Sequence, residues 1–210
     1  MLSPWFNSFI LVFTGLFVIV DPFGTVPTIL ILTKDDNAQQ TQHIILRACF
    51  FGAGILTFFA LCGAALLRFL QIDMNAFRAA GGLLLMFTAM DMLRSNKASR
   101  HLDALEDQDR ADLSMVPMAI PLLAGPGAIT SVMVLASAPS ADPETQWIKV
   151  LGAIALVFVL SYWVLRSSAR LKALLGRNGI TAIQRIMGLL LAALSFQFLV
   201  QGLVPLVRSI

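Results

Sequence analysis

The chain has 210 residues, 58% of them hydrophobic and only 13% charged, with a net charge of +3 and a mean hydropathy of +0.81. A soluble domain carries about a quarter charged residues. Here the apolar residues fall in blocks of roughly 20, the length a bilayer-spanning helix needs, and not in the 3.6-residue stripe of a surface helix. An ordinary soluble domain is excluded, and an all-α integral membrane protein is expected.

The first block, 5–32, contains Asp21-Pro22-Phe23-Gly24-Thr25-Val26-Pro27, which sets the block's only charge among its worst helix formers. No Lys or Arg precedes Lys34, and no small-x-small cleavage site lies near Val20, so this segment is expected to stay in the mature chain. Further spans are predicted at 44–67, 75–93, 115–136 (broken at LLAGPGAIT), 148–165 and 183–207. The hydrophilic stretch 94–112 separates three spans from three, giving repeats at 1–93 and 113–210 joined by a solvated loop.

Positive charge sets the expected orientation. Lys34, Arg47, Arg94, Lys97, Arg100, Arg110, Arg166, Arg170, Lys172, Arg177 and Arg185 fall on one side, and only Arg68, Arg78, Lys149 and Arg208 on the other. Positive residues favour the cytoplasm, so both termini are expected outside, in the periplasm of a bacterial inner membrane. This loop placement also argues against a nucleic-acid partner for a chain of pI near 9.2. Cys49 and Cys62 lie on one predicted helix, roughly 20 Å apart at 1.5 Å per residue, and cannot bridge.

The two halves resemble each other. Residues 76–93 align without a gap on 182–199, matching Ala76/Ala182, Gly82/Gly188, Leu83–Leu85/Leu189–Leu191 and Leu93/Leu199. The first and fourth spans match at Gly24/Gly127, Thr28/Ser131 and Leu32/Leu135, with Pro22 and Pro126 close to register. Three spans per half require the second half to be inverted. The expected fold is two inverted three-helix repeats whose first and fourth helices break at the midplane, an arrangement many secondary transporters build around their substrate site.

Pro22 removes the amide that would bond the Val18 carbonyl, and Pro27 does the same to Phe23. Pro121 and Pro126 free the carbonyls of Pro117 and Leu122 in the second break, where Gly125 and Gly127 admit close approach to the backbone. Such backbone must be buried in protein or line a wet cavity. An ionisable residue at this depth is a functional-site candidate by default. Asp21 can hold a proton, bind Na+ or pair with a substrate ammonium, and it is equally a good N-cap for a half-helix starting at Pro22. Thr25, Thr28, Thr130 and Ser131 add hydroxyls. Asp91 and Arg78 sit near the ends of the third span, where snorkelling to the headgroups is the ordinary role. Asp91 aligns with Gln197, and Gln197 and Gln201 share a helix face that either packs or lines the cavity. The 79–82 AAGG run and Gly188 read as close-packing sites, and Trp5, Trp147 and Trp163 as interfacial residues.

Both histidines, His43 and His101, fall in loops. No H-E-x-x-H, G-x-S-x-G or P-loop occurs, so no enzyme activity, metal or cofactor is expected beyond H+ or Na+ as a coupling ion.

DPFGTVPTIL, PMAIPLLAGPGAIT and AIQRIMGLLLAALSFQFLVQG resemble the MarC family of bacterial inner-membrane proteins. The matching features are Asp21-Pro22, the Ala119–Pro126 motif, and Arg185, Met187, Gly188, Gln197, Phe198 and Gly202. Asp91 and the charged loop 94–112 are not features of that pattern. The resemblance implies a six-span protein of the LysE-like group of amino-acid transporters and exporters, with neutral amino acids such as glycine and alanine as the substrate class. The expected function is therefore cation-coupled secondary transport of small neutral amino acids or similar metabolites. The site would comprise Asp21, Pro22, Gly24, Thr25, Thr28, Gly125, Pro126, Gly127, Thr130 and Ser131, with Asp91, Gln197 and Gln201 beside it. The alternatives are a passive channel and a non-transporting membrane accessory protein linked to stress or antibiotic response. Expected partners are the lipid bilayer and a small-molecule substrate, with a homo-oligomer as a further alternative.

Overall fold

The structure, a computed structural model, describes residues 4–34, 36–94, 123–137 and 143–208. Among these residues there are seven helices and no strand: α1 (Pro4–Val20), α2 (Pro22–Leu32), α3 (Ala38–Phe69), α4 (Met74–Arg94), α5 (Pro126–Ala136), α6 (Pro143–Arg166) and α7 (Ser168–Arg208). Five segments are long and apolar enough to cross a bilayer: Trp5–Leu32, Ala38–Phe69, Met74–Arg94, Gln146–Arg166 and Asn178–Arg208. The expected fourth span is represented by α5 alone, which at 11 residues is too short to cross by itself. The first part of that span, 115–122, and nearly all of the loop 94–112 lie outside the described residues.

Local chemistry explains where the helices begin and end. α3 starts six residues earlier than hydropathy alone suggests, because Asn37 and Gln40 form a reciprocal capping box with bonds of 3.0 and 2.9 Å. α7 carries a kink at Gly176, whose φ of 63° is a conformation only glycine adopts without cost. The last span therefore begins at Asn178, after the kink. Along α1 the rings of Trp5, Phe9, Phe13 and Phe17 stack at four-residue spacing, with centroids 5.7, 6.5 and 5.8 Å apart. The ladder crosses into α2 through an edge contact of 6.1 Å between Phe17 and Phe23. Trp5, expected from the sequence to be interfacial, is the first rung of a stack that bridges the helix break.

The helices form two packed groups. α1, α2, α3, α5 and α6 share one core, in which Leu16, Val26, Leu56, Val132, Val150 and Ile154 are essentially inaccessible. Two glycines of α3 seat partner side chains: Gly52 receives Phe158 of α6, and Gly63 receives Met133 of α5. α4 and α7 form a second, smaller group around Leu85, Ala89 and Leu191.

That second group is held by backbone approach at glycines, the usual way helices associate in lipid. A Cβ on Gly82 would stand 2.8 Å from the Leu199 amide nitrogen and 2.9 Å from the Ser195 carbonyl oxygen. One on Gly202 would stand 2.6 Å from the Ala79 nitrogen and the Asn75 oxygen, and one on Gly188 3.0 Å from Met92 Cβ. Gly82 meets residues 195, 198 and 199, while Gly188 meets 89, 92 and 93. Superposing Gly82 on Gly188 along the chain carries the second set of partners onto the first. The two helices are antiparallel, and their contacts are reciprocal.

Candidate functional site

The first break is a single residue wide. Asp21 has φ 46° and ψ 67°, the left-handed region that Asp tolerates better than most residues. Its amide still donates to the Phe17 carbonyl at 3.0 Å, completing α1. Its carbonyl accepts from the Thr25 amide at 3.3 Å and the Thr25 hydroxyl at 3.0 Å, opening α2. Its carboxylate Oδ1 accepts from the Gly24 amide at 3.0 Å, so Asp21 is the N-cap of α2 with Pro22 behind it. The capping role is real, and it engages one carboxylate oxygen. The other, Oδ2, carries no hydrogen bond among the described residues and lies over Gly24 Cα, where a Cβ would collide with it.

Asp21 is 7% exposed, and the second helix group closes over Gly24 beside it. The Met92 methyl of α4 reaches the same face of Gly24. From α7, Gln184 Nε2 donates to the Gly24 carbonyl at 3.4 Å, a bond joining residues 160 apart in sequence. Neither Met92 nor Gln184 is singled out by the sequence. The available signal was the alignment of Gln184 with Arg78, two polar residues at one repeat position. Arg78 itself is half-buried, and its Nε is buried without a hydrogen-bond partner among the described residues.

At the second break α5 starts at Pro126 after Gly125, which caps without a side-chain bond. Gly127 is buried against Leu85 of α4, and Gly81 of α4 receives the Thr130 side chain. Thr130 and Ser131 are buried, but their hydroxyls donate back to the carbonyls of Pro126 at 2.9 Å and Gly127 at 2.7 Å within α5. Thr28 is half-buried in α2.

α4 therefore runs past both breaks, touching Gly127 with Leu85 and Gly24 with Met92. Seven residues of helix separate those contacts by ~10 Å. The seam between the α4–α7 group and the five-helix core brings together Asp21, Pro22, Gly24 and Thr25 at one level and Gly127, Thr130 and Ser131 at another. Two expected residues do not join either: Gln197 and Gln201 are exposed on α7. Asp91 is half-buried on α4, next to Met92 in the chain. The two glutamines lie on one face of α7. They project from the side of α7 opposite Gly188, Leu191, Ser195 and Gly202, which pack. A separate shallow apolar hollow of about 250 Å³ lies on the outer side of α3, lined by phenylalanines and Gly54. Among the described residues no group of three His, Cys, Asp or Glu side chains is placed to hold a metal ion.

Helices of this length and apolarity, with a carboxylate buried at a break inside one of them, define a multi-pass integral membrane protein. Residues 6–207 match the model of the MarC family integral membrane protein, and the chain belongs to that family. It is 36% identical over 197 residues to the UPF0056 membrane protein MJ1677 of Methanocaldococcus jannaschii, covering 93% of this chain and 95% of the relative. A UPF0056 membrane protein of Aquifex aeolicus is 34% identical, with 99% and 100% of the two chains covered. The UPF0056 membrane protein YvbG of Bacillus subtilis is 30% identical, with 97% and 99% covered. No solved structure matches the chain.

Proposed function

We propose that the protein is a secondary transporter of small neutral amino acids or similar small metabolites in the bacterial inner membrane, driven by H+ or Na+. The observation that carries this reading is the Asp21 carboxylate: buried inside a span, with one oxygen spent on the helix end and the other without a hydrogen bond. Intramembrane carboxylates in such positions hold a coupling cation or a substrate ammonium. In this reading Asp21 Oδ2 is that ligand, and backbone groups around Gly24–Thr25 and Gly125–Gly127 contact the polar ends of the substrate.

The reading also takes the chain as a six-span inverted repeat of the LysE-like type, with both termini periplasmic. It is supported by the reciprocal glycine contacts of α4 and α7 and by the way α2 leans on α7 while α5 leans on α4. Alternating access then follows from the two packed groups. Sliding the α4–α7 pair along the core lifts Met92 and Gln184 from Gly24 and opens Asp21 to one side. At this seam side chains rest on glycines, Met92 on Gly24, Leu85 on Gly127 and Thr130 on Gly81, so the motion has to lift these three from their seats.

Reconstituted liposomes test the reading. Concentrative uptake of alanine or glycine under an imposed H+ or Na+ gradient is the expected result. Leak without accumulation identifies a passive channel, and no flux under any gradient identifies an accessory protein.

A further inference from the structure

Gln197 and Gln201 stand on the outer side of α7, exposed and without a hydrogen bond among the described residues. In the span Asn178–Arg208, Gln197 lies four residues past the middle and Gln201 eight, ~6 and ~12 Å from the centre. A hydrocarbon half-thickness is about 15 Å, so both amides sit within it. A bare amide facing lipid is costly, and it is relieved only by a hydrogen-bonding partner. α7 is also the least covered span: 17% of its most apolar window is buried, against 44% for the span in α6.

The residues around Gln197 form a regular seam. Ile186, Leu190, Ala193, Gln197, Val200 and Val204 follow one another at alternating steps of four and three, and every one is exposed. This is the heptad spacing of a left-handed helix pair, with a single polar residue on the seam. Among the described residues nothing packs on it, because α7 meets α4 through the opposite side.

We propose that this seam is the interface of a homodimer, in which α7 of one copy packs in parallel against α7 of a second copy about an axis normal to the membrane. The occupant is set by chemistry and symmetry. Two copies inserted in one membrane share one orientation, so the two-fold axis brings Gln197 against the partner copy's own equivalent. An amide both donates and accepts, so the pair is self-complementary without any other residue. Ala193 one turn away permits close approach of the helices. The proposal is independent of the transport reading.

Cysteine cross-linking tests it. A Cys62→Ser background removes the exposed native thiol and leaves Cys49 buried. Ala193→Cys and Gln197→Cys then put a thiol on the seam, and Leu203→Cys puts one on an exposed but off-seam position. Oxidation with copper-phenanthroline in native membranes should give disulfide-linked dimers for the first two and not for the third. Light scattering of the detergent-purified wild-type protein should return twice the chain mass. Gln197→Leu should weaken the dimer about tenfold while Gln197→Asn keeps it, the size expected for one interhelical amide pair in a bilayer. A monomeric mass without cross-links overturns the proposal, as does equal cross-linking at Leu203→Cys. So does labelling of Gln197→Cys by a membrane-impermeant thiol reagent without dimer formation, which would assign this side of α7 to a water-filled cavity.

Discussion

The carboxylate of Asp21 fills the space that a Cβ on Gly24 would occupy, and the Met92 methyl closes the same space from α4. Glycine at position 24 is therefore a steric condition for the cap, and the cap is the condition for burying the carboxylate beside it.

Gly24→Ala should destabilise the protein by about 1–3 kcal/mol, the usual cost of forcing a methyl into a filled site. Thermal unfolding in detergent reads this directly. Adding Met92→Ala should recover only part of the loss, because the clash with the pinned carboxylate persists. Full recovery would show that Met92 alone enforces the glycine.

Asp21→Asn and Asp21→Ala separate charge from architecture. Asn caps as well as Asp and tolerates the left-handed backbone, so Asp21→Asn should keep the wild-type unfolding midpoint and lose gradient-driven uptake. Asp21→Ala should lose the cap, worth about 1 kcal/mol, and a further ~1–2 kcal/mol from its strained φ. Wild-type coupled uptake by Asp21→Asn would remove the carboxylate from the transport mechanism.

The seam of the α4–α7 group predicts a ranking among glycines. Gly82→Ala sets a methyl 2.8–2.9 Å from backbone atoms that cannot rotate away, and should cost about 1–3 kcal/mol. Gly15→Ala and Gly54→Ala have nothing within 4 Å and should be neutral or gain ~0.5–1 kcal/mol of helix stability. Gly188→Ala, whose nearest neighbour is 3.0 Å away, should fall between. Unfolding midpoints of the four variants check the order.

A ligand that binds only the folded state raises its stability by mass action, by ~2.7 kcal/mol at a hundred times its Kd. A thermal-shift panel of amino acids should therefore show a raised midpoint for small neutral side chains such as glycine and alanine. The shift should disappear in Asp21→Asn, whose fold is expected to be unchanged.

Much of this architecture is legible in the sequence. The residues of Trp5–Leu32 predict both the span and its break, because proline sterics and an Asp cap act within a single turn. The AAGG run and Gly188 read as packing sites, and the structure places Gly81, Gly82 and Gly188 at helix contacts. The six-residue early start of α3 was missed because hydropathy sees lipid and not a capping box. Gln197 and Gln201 were legible as one helix face, but either face of α7 is apolar enough to pack or to meet lipid. Hydropathy gives no rule for choosing, and the structure puts them outside.

By itself, then, the sequence determined insertion into a membrane, the extent of most spans and the position of the first break. These depend on transfer free energies summed along one segment and on contacts between residues three or four apart. Only the tertiary structure decided that Met92 and Gln184 close over Asp21, that Thr130 settles on Gly81, and that the helices divide into a five-membered core and an α4–α7 pair. In lipid no hydrophobic stripe marks the buried side of a helix. Partners are chosen by shape and by isolated polar groups, and that choice is visible only once the helices stand together.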